Sequence, residues 1–128
     1  MPGVGTKRGA VLLAHGSRDR SAGVEAGRLC RELASANPEW RFQAAYLKGS
    51  PSLSEAVERL AARGCQAISV LPLLVFSGRH VREHIPALVA AEKSRRPGLR
   101  IELMPHLGRL PGFPAMIAKV LTGSAEAE

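Results

Sequence analysis

Val70-Leu71-Pro72-Leu73-Leu74-Val75-Phe76-Ser77-Gly78-Arg79-His80-Val81-Arg82-Glu83-His84-Ile85-Pro86 is the stretch on which the reading turns. Its first half is an unbroken apolar run, the pattern of a strand buried on both faces in a parallel sheet. A Ser-Gly break ends the run, and a dense polar cluster follows, with two of the chain's four histidines. Residues just past the carboxyl end of such a strand lie where open α/β sheets bind ligands. Pro86 removes a backbone donor, so the pattern predicts a turn or distorted first turn over 77–85 and a helix starting near Pro86.

Upstream, residues 9–14 read as a first strand that stops at His15-Gly16-Ser17-Arg18-Asp19. Ala22, Ala26, Leu29, Cys30 and Leu33 recur in steps of three and four and predict an amphipathic helix over 20–36, closed by Asn37-Pro38. Trp40 to Leu47 reads as a second strand. Ser52 or Ser54 can cap a helix that runs to about Arg63, with Glu55 three residues after Ser52 as a capping box requires, and Gly64 suits the left-handed stop. Ala67 to Val75 is the third strand. Downstream, Leu99 to Met104 reads as a fourth strand and 112–121 as a last helix. The tail 122–128 is expected to be disordered. The alternation predicts one α/β domain over 1–128, a three-layer fold with a mostly parallel four-stranded sheet and helices on both faces.

Composition bounds the function. With 45% hydrophobic residues a core is feasible, and no apolar run reaches the roughly 20 residues of a membrane span. Cys30 and Cys65, far apart in apolar contexts, read as buried free thiols, and a cytoplasmic protein is expected. Lys and Arg number 18 against 11 Asp and Glu, a formal charge of +7 that suits a polyanionic partner. Only 4% of residues are aromatic and no helix carries a long basic stripe, which argues against nucleic acid.

The histidines carry the chemistry. His15 follows strand one, His80 and His84 follow strand three, and His106 follows strand four. In a parallel sheet those ends share one edge. Neutral imidazole ligates divalent transition metals and relays protons near neutral pH, and Glu83 and Asp19 can add oxygen ligands. Arg18, Lys48, Arg79, Arg82 and Arg109 fall on the same rim, where they can hold carboxylate or phosphate. His80-x-x-Glu83-His84 also has the H-x-x-E-H spacing of some zinc peptidases, but that chemistry needs both histidines on a continuous helix, and Pro86 argues against one.

Leu12-Leu13-Ala14-His15-Gly16-Ser17-Arg18 resembles the opening block of the CbiX-type sirohydrochlorin chelatases. The run from Leu71-Pro72-Leu73-Leu74 through Gly78-x-His80-Val81-x-Glu83-x-Ile85-Pro86 is similar to that family's second block, and Pro51-Ser52-Leu53-x-Glu55-Ala56 to the start of its second helix. The resemblance implies a chelatase-like half-domain, a homodimer with a site shared by two facing rims, and insertion of Co²⁺, Fe²⁺ or Ni²⁺ into sirohydrochlorin. The metal would be a substrate, not a permanent cofactor. His15 and His80 would bind it and accept protons, with His84 and Glu83 as further candidate ligands. The anionic macrocycle would be held by Ser17, Arg18, Lys48, Ser77, Gly78, Arg79, Arg82 and Arg109. Two positions depart from the family pattern: His84 replaces an Asp common before Ile-Pro, and Lys48 replaces a Glu common after strand two. A non-catalytic module that binds or delivers a metal or tetrapyrrole is the alternative.

Overall fold

The structure, a computed structural model, describes residues 7–16, 20–76 and 78–123; for Ala22 and His80 it describes the backbone. The order is β1 (Lys7–Ala14), α1 (Arg20–Ala36), β2 (Trp40–Tyr46), α2 (Leu53–Ala62), β3 (Cys65–Pro72), α3 (Arg79–Arg95), β4 (Arg100–Leu103), a 3-10 turn at Leu107–Arg109, and α4 (Phe113–Thr122). The four strands form one parallel sheet in the order β2-β1-β3-β4, as the alternation predicts. The first crossover leads outward to β2 and the next two lead back to β3 and β4. Right-handed connections therefore put α1 on one face and α2 and α3 on the other.

The α2–α3 face holds the main core. Val11, Leu13, Ala45, Ile68, Val70 and Ile101 meet Leu53, Ala56, Val57 and Leu60 of α2 and Ile85 and Val89 of α3, all buried. Strand alternation turns Ala10 and Leu12 to the opposite face, where they and Ala26 of α1 are also buried. That face is thinly covered: α1 packs against β2, while Ala67, Ser69 and Leu71 of β3 are only half-buried. Glu92 is the one buried charged residue among those described. It accepts from Arg95 and Arg96, both at 3.1 Å, and Arg95 also donates to the Ser54 hydroxyl, tying α3 to α2.

Local chemistry sets the element ends. The Asn37 amide donates to the Leu33 carbonyl at 2.9 Å and closes α1. Gly64, at φ +93°, follows α2 in the left-handed region. Ser52 caps α2 with a full capping box: its hydroxyl accepts from the Glu55 N–H at 3.2 Å, and the Glu55 carboxylate accepts from the Ser52 N–H at 2.9 Å. That backbone bond first, and the Ser50 hydroxyl next, hold the Glu55 carboxyl below its ordinary value. A depressed folded-state value contributes stability above the unfolded value, lost as pH falls through the folded one. Ser52→Ala is expected to cost about 1 kcal/mol in denaturant midpoints. Glu55→Gln is expected to flatten the acid limb of the stability–pH curve. Both cysteines are free, Cys65 buried as expected and Cys30, within α1, only half-buried, and burial pushes both thiols up.

Three expectations are corrected. The helix after β3 starts at Arg79, not near Pro86, and Pro86 lies inside it. A proline there forfeits one bond to the carbonyl four residues earlier, and the buried contacts of Ile85 and Val89 hold the helix through it. β3 ends at Pro72 and does not continue to Val75. The Leu73 N–H still donates to the Leu13 carbonyl at 2.8 Å, but Val75 is 42% and Phe76 90% exposed, so the run's end is not buried on both faces. Finally, Thr122 closes α4, its hydroxyl donating to the Ala118 carbonyl, and Gly123 follows at φ +72°; the rest of the expected tail, 124–128, lies outside the described residues.

Candidate active site

The carboxyl edge of the sheet is built by extending the strand ladder a step beyond each strand. Past β1 and β2, the Leu47 N–H donates to Ala14 and the Lys48 N–H to His15, both at 2.9 Å. These bonds fix the His15 backbone at the rim, with its side chain exposed. Gly16 then turns the chain at φ +109°, and a Cβ there would run into the Lys48 carbonyl. Only glycine suits both demands. Past β3, the Gly108 N–H donates to the Leu74 carbonyl at 3.0 Å, and Gly108 packs so tightly on the Val75 carbonyl that it too has no room for a Cβ. This contact draws the 3-10 turn, with His106 before it and Arg109 at its end, to the rim beside the β3 exit.

α3 begins at this edge. Gly78 is its N-cap, and the Arg82 N–H donates to the Gly78 carbonyl at 2.9 Å. Its first turn has no acidic residue and carries Arg79, with Arg82 just after. A helix start already carries positive partial charge and favours anions. Cations placed there cost stability, a cost that an anion at the rim would offset. Position 80 is the second residue of the helix and position 84 lies one turn further on. The Glu83 carboxylate is drawn toward Arg79 at 3.6 Å, both groups being exposed. Among the described residues no three His, Cys, Asp or Glu side chains gather as a metal-ligand group. The His80 imidazole is not among the described side chains, and Ser17, Arg18, Asp19 and Ser77 lie outside the described residues.

The structure thus brings His15, Lys48, Gly78, Arg79, Arg82, Glu83, His84, His106 and Arg109 to one edge on separate chain segments. It also supplies two features that the sequence reading did not use. His106 and Arg82 line a cleft of about 160 Å³ with Leu74, Ile85, Pro86 and Met104, so His106 belongs to the α3 side of the rim. Phe76, at 90% exposure, presents a bare ring directly before the α3 start. The signal for Phe76 was its place next to the Ser-Gly break, masked by its membership of the apolar run.

The chain is an open parallel α/β protein with a cationic, histidine-bearing carboxyl edge, the edge at which such sheets bind ligands. The CbiX family model matches residues 9–123, and the chain belongs to the CbiX family. A sirohydrochlorin cobaltochelatase of Saccharolobus solfataricus is 39% identical over 75 residues, covering 56% of this chain and 57% of the relative. A CbiX protein structure from Marinobacter aquaeolei superposes with a TM-score of 0.75 at 27% identity, covering 94% of this chain and 99% of that one. The cobalt complex of the sirohydrochlorin chelatase SirB from Bacillus subtilis subspecies spizizenii gives a TM-score of 0.67 at 26% identity, covering 77% of this chain and 42% of that one. The chain spans 57% of the Saccharolobus relative and 29% of a Xanthomonas axonopodis ferrochelatase that is 30% identical over 92 residues. Among the described residues, no helix is long and apolar enough to cross a membrane.

Proposed function

We propose that the chain inserts a divalent metal, Co²⁺ first and Fe²⁺ or Ni²⁺ as alternatives, into sirohydrochlorin, on a route to cobalamin or sirohaem. The observation that carries this reading is the single sheet edge on which the His15 and α3 segments meet a set of cations. Metal insertion requires that the ion shed water and that two pyrrole N–H protons leave. Imidazoles at positions 15 and 80 replace water ligands and accept protons on one side of the ring. Lys48, Arg79, Arg82 and Arg109, with Arg18, hold the carboxylate arms. His84 and Glu83 stand as further ligands, and Ser17, Ser77 and Gly78 join the cations as substrate-binding residues. The metal is consumed as a substrate, and no permanently bound cofactor is required.

Phe76 is placed to carry the flat face of the macrocycle. Phe76→Ala is expected to raise KM for sirohydrochlorin about tenfold with a smaller change in kcat, because ring contacts of this kind contribute on the order of 0.5–1.5 kcal/mol beyond area burial. Steady-state absorbance kinetics separate the two parameters.

The working form we propose is a homodimer. α4 carries Phe113, Met116, Ile117 and Val120 at helical spacing, yet none of its residues is buried, and Val120 and Leu121 are 77% and 78% exposed. An unpartnered apolar face of this kind calls for a partner. The chain matches 42% of the SirB chain, and a second copy would supply a second rim of the same kind. Two rims would then face one macrocycle.

A binding or delivery module is the second reading, favoured by Lys48, an exposed cation at the rim where the pattern that the sequence resembles has a carboxylate. Purified protein mixed with sirohydrochlorin and each of Co²⁺, Fe²⁺ and Ni²⁺ discriminates the two. Repeated turnover in the absorbance spectrum supports the enzyme; a shift that stops at one equivalent per site supports the module.

A further inference from the structure

The opposite end of the sheet carries a second cationic site. A cleft of about 260 Å³ opens between the last turns of α1 and the start of the edge strand β2. Its charged lining consists of Arg31, Arg41 and Arg63, with no carboxylate among the lining residues. Its floor is aromatic: Trp40 and Phe42 are stacked with centroids 6.1 Å apart and planes 19° from parallel. Both rings are half-buried, leaving part of their surface open. Arg8 lies over the Trp40 ring at 5.8 Å. Arg41 is fixed in the cleft by donating to the carbonyls of Pro38 and Trp40, both at 3.3 Å. Among the described residues neither Arg31 nor Arg63 makes an ion pair. Register places all this at the amino ends of the strands, Arg8 opposite Trp40, away from the histidine rim.

Three guanidinium groups on one small cleft repel one another unless an anion joins them, and their planar forks match phosphate or carboxylate in two-point contacts. The adjoining rings offer a stacking surface, and base-on-aromatic stacking combined with arginine is a recurring mode of nucleotide recognition. The volume is slightly below the range usual for drug-sized ligands, about 300–1,000 Å³, and so suits one ring and one anionic group. We propose that this cleft binds a mononucleotide-sized aromatic anion, its base against Trp40 and Phe42 and its phosphate on Arg31 and Arg63. The proposal is independent of the metal-insertion reading, since none of these residues belongs to the rim.

Trp40 is the chain's only tryptophan, so intrinsic fluorescence excited at the red edge of its band reports on this cleft alone. The full chain is titrated with AMP, with inorganic phosphate, and with a short oligothymidylate. Saturable quenching by AMP is expected. It should weaken about tenfold or more in the Arg31→Ala/Arg63→Ala variant, which loses two charge-assisted contacts, and persist unchanged in His15→Ala. Metal insertion by the double arginine variant is expected to match wild type. Absence of saturable quenching, or equal AMP affinity in the arginine variant, overturns the proposal. Inorganic phosphate binding as tightly as AMP overturns the role of the rings. Tight binding of the oligonucleotide without AMP binding makes the surface a single-strand site instead. Circular dichroism checks that the variant, altered at two exposed positions, keeps its fold.

Discussion

His15→Ala is expected to lower the rate of metal insertion into sirohydrochlorin by about 10²–10⁴-fold, the usual contribution of a positioned proton acceptor. The fold should be untouched. His15 is exposed, and what holds its segment is backbone: Lys48 donates to the His15 carbonyl, and Gly16 turns away beside Lys48. Removing the imidazole leaves those bonds in place, so thermal unfolding and circular dichroism should match wild type. His80→Ala is expected to fall by a similar factor, and the double variant by little more than either single one, because groups that act as a unit on one ion do not add. Near-normal insertion by the double variant would remove both imidazoles from the mechanism.

The second large effect is expected at α4. Val120→Asp/Leu121→Asp places two carboxylates on the exposed apolar face. Both side chains are largely in solvent in the single chain, so the change should cost it little stability. In a dimer the same carboxylates would be buried unpaired, at several kcal/mol in total. The wild-type chain is expected to elute at twice its own mass and the variant at once its mass in light-scattering chromatography. Insertion activity should fall with the dimer, since one rim would then face the macrocycle without its counterpart. A variant that stays dimeric would move the interface elsewhere; a wild-type monomer with full activity would remove the shared site from the account.

The sheet was legible because its signals are local and agree with one another. Val11 and Leu13, Ile68 and Val70 read as buried strand residues and lie in the core; Ser52 and Glu55 formed the capping box that their spacing announces; Gly64 took the left-handed turn. The exit of β3 was less legible, for a physical reason. An apolar residue in a run looks alike whether it meets the core or a ligand, and only the fold distinguishes Val70, fully buried, from Phe76, at 90% exposure. Pro86 misled in the opposite sense. Its local cost is real, but Ile85 and Val89 anchor the helix on either side of it. As a result His80, Glu83 and His84 do share one continuous helix, the condition that the proline seemed to deny. The histidine edge was legible from strand order alone. The place of His106 was not, because it depends on Gly108 lying against the Val75 carbonyl, a tertiary contact with no sequence signature. Glu92 escaped notice for the same reason: a charged residue near a helix end reads as solvated until Arg95 and Arg96 are seen to close over it.

The central claim is that imidazoles from two separate segments grip one ion beside an anionic ring. X-ray absorption at the cobalt edge, on protein loaded with one equivalent of Co²⁺ per site, tests it most directly. The account predicts imidazole scattering in the wild-type spectrum, reduced in His15→Ala, reduced in His80→Ala, and lowest in the double variant, where His84 is the one candidate imidazole left at the rim. An identical cobalt environment in the wild type and the double variant would contradict it.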